Sequence, residues 1–106
     1  MPATQVVVLE RRGLIGARIA SCGLDAPYRL RETRSMDAFG AALADAPFPV
    51  AIVERDAAGD QLAELLDRAS DRHAATVVVA SALNEAEQVE ILERGATAIS
   101  LTRIWN

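Results

Sequence analysis

An α/β domain built on a five-stranded parallel sheet is what this sequence predicts, on three observations. Three short β-branched runs, Val6 to Leu9, Val50 to Val53 and Thr76 to Ala80, lack the alternation of a half-exposed strand. They fit parallel strands covered on both faces. Helical patterns fall between them. The chain is also 106 residues long, 51% apolar and 25% charged, which suits one domain with a real core and argues against disorder.

Each element follows in order. The first strand, Val6 to Leu9, leads into a helix from Gly13 to Ser21 that carries Leu14, Ile15 and Ile19 and stops near Gly23, a C-cap signal. Tyr28 to Thr33 alternates apolar and polar residues, the pattern of an edge strand. Ser35 caps a second helix with Met36, Phe39 and Leu43 on one face, which Pro47 and Pro49 end. After the central run Val50 to Val53, a third helix runs from Gly59 to Ser70 with Leu62, Leu65, Leu66 and Ala69 inward. Following Thr76 to Ala80, a fourth opens on the capping-box variant Asn84-Glu85-Ala86-Glu87, is expected to bury Val89 and Leu92, and closes at Gly95. Ala98 to Leu101 alternates again and forms the other edge.

The alternation β-α-β-α-β-α-β-α-β with right-handed crossovers demands a parallel sheet with helices on both faces. Placing the two alternating strands at the edges gives the strand order 2-1-3-4-5, the flavodoxin-like arrangement in three layers. The sequence reaches Ile104-Trp105-Asn106 just after the fifth strand, so a fifth helix is expected to be lacking or truncated. One face of the sheet is then thinly covered. Apolar surface left in water costs about 25 cal/mol per Å2, so the tail around Trp105, a second copy or a downstream segment is expected to cover it.

Charge and cysteine usage narrow the function classes. The net charge is −4 and the pI about 4.9, against a general nucleic-acid or anionic-membrane surface. All eleven cationic side chains are arginine, and there is no lysine. Cys22 is the only cysteine, so no internal disulfide can form, and a reducing, cytoplasmic setting is expected. The start Met-Pro-Ala-Thr-Gln shows no signal-peptide pattern, and no apolar run has membrane-spanning length. No Ser-His-Asp set, nucleophile elbow or P-loop supports enzymatic activity.

In a sheet of this order, ligands bind beyond the carboxyl ends of the central strands. That rule singles out Glu10, Arg11 and Arg12 after strand one, and Glu54, Arg55 and Asp56 after strand three. Ser81 follows strand four, and Thr102 and Arg103 follow strand five.

The stretch from Thr76 to Ala96, TVVVASALNEAEQVEILERGA, resembles the fourth strand, fourth helix and Gly-Ala turn of a response-regulator receiver domain of two-component signalling. The resemblance extends from Val6 to about Thr102. It implies an acidic pair after strand one that holds a divalent metal, and an aspartate after strand three that accepts phosphate. It also implies a Ser/Thr after strand four and a lysine after strand five that contact the phosphoryl group. In this chain the acidic pair becomes Glu10 and Arg11, the acceptor position falls on Glu54, the hydroxyl is Ser81, and the lysine position falls on Thr102 or Arg103. Asp56 is the acceptor instead if strand three continues past Glu54, because alternate strand residues face the same way.

These departures disfavour phosphotransfer. A Mg2+ site wants several hard oxygen ligands, and Arg11 places a permanent cation among them. The expected substitute is an ion pair of Arg11 or Arg103 with Glu54. The chain is therefore expected to be a degenerate receiver-like domain that acts by protein contact and needs no cofactor, with Mg2+ required only if the site is active. It is expected to pair with itself or a protein partner, and to form a single domain over residues 1–106 that can open a longer regulator. The resemblance implies output through the fourth helix, fifth strand and fifth helix, which points to the surface around Glu90, Arg94, Ile99 and Trp105 as the contact.

Other signals are weaker. Gly13 and Gly16 match the second and third glycines of a dinucleotide-binding turn, but Arg11 takes the place of the first. A small nucleotide-binding module is the reading they leave open, against a helix start and a packing contact. His73 has no metal-ligand spacing and reads as a solvated loop residue, and Cys22 as a small core residue. Arg29, Arg31 and Arg34 guard an edge strand. Asp60, Glu64, Asp67, Arg68 and Asp71 form a solvated helix face, with Glu64 and Arg68 at pairing distance.

Overall fold

The structure is a computed structural model that describes residues 4–21, 28–47 and 49–101. Five strands, β1 (Thr4–Leu9), β2 (Tyr28–Thr33), β3 (Val50–Glu54), β4 (Ala75–Ala80) and β5 (Ala98–Leu101), form one sheet in the order β2-β1-β3-β4-β5. Every pairing is parallel, with Val6 opposite both Leu30 and Val50, Val53 opposite Val78, and Val78 opposite Ile99. This is the flavodoxin-like topology that the run lengths and alternation predict.

Four helices flank the sheet: α1 (Leu14–Ser21), α2 (Met36–Asp45), α3 (Leu62–Asp71) and α4 (Glu85–Glu93). On one face, α2 and α3 bury Phe39, Leu43, Leu65 and Ala69 against Val7, Leu9, Ala51 and Val53. Beside them, Leu66 of α3 and Ile91 of α4 close over Val78, with Leu83 and Ile99 half-buried at the margin. On the other face, Ile15 and Ile19 of α1 lie over Val6, Val8 and Val79, and Val50, Ile52 and Val77 are only half-buried. Among the described residues α1 is the only helix on that face. The thin coverage expected there is visible in those three side chains.

Local chemistry sets the helix ends. Ser35 accepts the backbone N–H of Ala38 at the start of α2. Asn84 and Glu87 form the full capping box of α4, each side chain taking the other's backbone N–H. Past the end of α4, Gly95 adopts φ +108°, a conformation in which a Cβ is strained. The proposed stop at Gly23 lies outside the described residues.

Two expectations need amending. The stretch between β3 and helix three is not a plain loop: a helical turn, Arg55–Ala58, follows β3 directly, and helix three then opens at Gly59 as expected, through a 3-10 turn, Gly59–Gln61, into α3. The second concerns α4, which buries Ile91 at 5% exposure and leaves Val89 and Leu92 outward at 53% and 48%. At 100° per residue Ile91 stands well away from Val89 and Leu92 around the helix, and the capping box together with the Leu83 and Ala96 contacts fixes which side meets the sheet.

Candidate functional site

At the carboxyl ends of β1 and β3, short polar segments follow strands that are hydrogen-bonded neighbours, so side chains far apart in sequence converge. Glu10 is fully buried there. Its two carboxylate oxygens accept the backbone N–H groups of Ile15 and Gly16, each at 2.8 Å. These are two of the orphan donors in the first turn of α1, and a carboxylate is favoured at that end of the helix dipole. At the position where the resemblance implies an acidic pair, Glu10 thus caps the start of α1. Arg34 and β2 complete the surround, with Arg34 Nη1 donating to the Glu10 carbonyl and Glu10 N–H to the Thr33 carbonyl.

Arg11 points the other way. Its Nε lies 3.3 Å from Glu54 Oε1, its backbone N–H donates to the same oxygen at 3.1 Å, and its Nη2 reaches Asp56 Oδ2 at 3.4 Å. Glu54 ends β3, and Asp56 sits in the helical turn beyond it. The premise that placed Asp56 as acceptor, a strand continuing past Glu54, therefore does not hold. Both carboxylates instead share one guanidinium.

The network extends further than the sequence indicates. Arg55 Nη1 lies 3.8 Å from Asp56 Oδ1, and its Nη2 lies 2.7 Å from Glu87 Oε2 in α4. Between α3 and α4 runs a groove of about 150 Å3 floored by Leu62, Leu66 and Ile91. Glu90 and Arg94 line it, paired with each other at 3.5 Å, and Arg94 also reaches Asp67 at 3.8 Å. Ser81 is exposed just past the end of β4. Thr102, Arg103 and Trp105 lie outside the described residues, as does Cys22.

Of the residues expected to form a contact surface, Ile99 is half-buried against the Leu66–Val78 cluster. Among the described residues the exposed large apolar side chains are Leu14, Val89, Leu92 and Leu101.

No protein-family model matches the chain, and no curated protein matches it. Solved structures do. A response regulator from Thermotoga maritima superposes with a TM-score of 0.77 at 13% identity, covering 96% of this chain and 87% of that one. An orphan response regulator of H. pylori gives 0.71 at 14% identity, over 93% and 84% of the two chains. A structure described as a pilus assembly protein from Sinorhizobium meliloti gives 0.69 at 12% identity, over 94% and 88%. The chain carries the receiver fold.

Each Glu10 oxygen accepts one N–H group, and the Arg11 guanidinium pairs with both Glu54 and Asp56. Among the described residues no three acidic, His or Cys side chains converge. A Cβ on Gly16 would meet the carboxylate end of the Glu32 side chain. Glu32 is the residue that the sequence reading passed over there, and Arg55 with Glu87 is the other omission. Arg55 at a strand end and Glu87 in the capping box each stand out singly, but a contact across 32 residues leaves no local pattern of their pairing.

Proposed function

We propose that this chain is a signalling domain that uses the receiver fold as a protein-contact module and does without aspartyl phosphorylation. The observation that carries the reading is Arg11, whose guanidinium and backbone N–H both engage Glu54 while its other end reaches Asp56. A fixed cation stands where an active receiver needs a dication, and a like charge opposes its entry. A glutamate already paired in this way serves as a permanent negative charge. Such an arrangement favours one conformational state and gives a kinase nothing to switch.

The contact face on this reading is the outer side of α4. Val89 and Leu92 are exposed there, and Glu85 and Glu93, also exposed, stand at i−4 from Val89 and beside Leu92. A symmetric second copy packed antiparallel on α4 would set Glu85 against Glu93, like charge on like. Acidic flanks favour a basic apolar partner, in another protein or in an output domain of a longer regulator. No described helix is long and apolar enough to cross a membrane. A cytoplasmic, non-enzymatic role belongs to this proposal.

The test is calorimetric titration of the chain with Mg2+, followed by beryllofluoride in its presence. The expected result is no saturable binding up to millimolar Mg2+ and no beryllofluoride adduct. Saturable binding of either would sink the proposal.

A further inference from the structure

Arg55 joins two parts of the molecule that 32 residues separate. Its bond to Glu87 at 2.7 Å is the shortest ion pair among the described residues. Glu87 is not an idle carboxylate. Its other oxygen, Oε1, lies 3.5 Å from the backbone nitrogen of Asn84, whose side chain in turn accepts the Glu87 N–H at 2.8 Å. On its opposite side Arg55 faces Asp56, Asp56 faces Arg11, and Arg11 holds Glu54. One run of charges and hydrogen bonds therefore passes from the tip of β1, across the end of β3, to the N-terminal cap of α4. It does not go through Ser81.

We propose that Arg55 is a strut that ties the state of the Arg11–Glu54–Asp56 cluster to the first turn of α4. The inference rests on the fixed-charge reading of that cluster and adds the route by which it reaches the Val89–Leu92 face. The guanidinium is planar, with its donors in a rigid fork. With Nη1 beside Asp56 and Nη2 on Glu87, the fork cannot rotate without releasing one of them. Asp56 thus orients the group that steadies Glu87, and Glu87 completes the cap. Neutralising Asp56 frees the fork, and the first turn of α4 opens more often, although Asp56 itself makes no described contact with that helix.

Amide hydrogen exchange on the full chain, in EDTA, reads this directly. Arg55→Gln should speed exchange at the Glu87 and Gln88 amides by about two- to five-fold, the size expected of a half-exposed ion pair. Asp56→Asn should speed the same amides by a smaller factor. In the Arg55→Gln background, Asp56→Asn should add nothing. All these side chains are exposed or half-exposed, and a urea midpoint on each variant checks that the fold is kept. If Arg55 only packs locally, Asp56→Asn leaves α4 unchanged, and the proposal is overturned. An Asp56→Asn effect that survives in the Arg55→Gln background overturns it as well. Because no Mg2+ is present, loss of coupling sinks the strut and leaves the fixed-charge reading standing. Saturable Mg2+ binding in the separate titration sinks that reading, and with it the role given to the strut, whatever the exchange data show.

Discussion

Replacing Glu10 by alanine should be among the most damaging single changes to this molecule. The carboxylate is fully buried and accepts two backbone N–H groups at 2.8 Å. Hydrogen bonds to charged groups contribute about 1.5–3 kcal/mol each, and a buried donor left without a partner costs about 1–3 kcal/mol. With two donors orphaned and partial relief from water entering the vacated space, the expected loss is about 3 kcal/mol. A domain of this size has a total stability of roughly 5–15 kcal/mol. Urea unfolding followed by circular dichroism is the assay. With a slope near 2 kcal/mol per M, the midpoint should fall by about 1.5 M at unchanged slope. Glu10→Gln keeps one acceptor and turns an amide NH2 toward the other donor, so it should fall between the two and stay folded if the alanine variant does not. An alanine variant within about 0.5 kcal/mol of the parent, or a glutamine variant as stable as the parent, would refute the capping role and reopen Glu10 as a free carboxylate.

Two further expectations concern packing. Ile91→Ala removes a buried side chain and should cost about 2–4 kcal/mol, whereas Leu92→Ala, next to it but outward, should stay within about 0.5 kcal/mol; equal losses in thermal melts would mean that α4 is rotated. Gly16→Ala gains up to about 1 kcal/mol of helix propensity and must push aside only the flexible end of Glu32, so its unfolding free energy in urea should match the parent to within about 1 kcal/mol. A loss above 2 kcal/mol would show that rigid backbone stands in front of that glycine.

Strand order was legible because both its signals are local. Continuous β-branched runs mark the buried strands β1, β3 and β4, and alternation marks the edge strands β2 and β5. The caps at Ser35 and Asn84 were legible for the same reason, since each spans one helical turn. The facing of α4 was not. Val89, Ile91 and Leu92 give that helix two apolar sides, and periodicity cannot choose between them without the sheet beneath. The meeting of Arg11 with Glu54 follows from β1 and β3 being neighbours, which topology supplies. The capping contact of Glu10 was not legible, because a carboxylate's role depends on which N–H groups point at it, and chain order does not show that.

The strand order also sets a sequence of events on the ribosome. β1 emerges before the other strands, yet it lies between β2 and β3 in the finished sheet. Its Val6–Leu9 run has one edge unpaired until Tyr28–Thr33 has been made, and the other until Val50–Glu54 follows. An apolar strand with open edges invites pairing with other nascent chains. The early exit of β1 makes synthesis of the first half of the chain its most aggregation-prone interval, and slow translation before β3 should worsen it. The edge arginines at positions 29 and 31 arrive within that interval, on the strand that first covers β1.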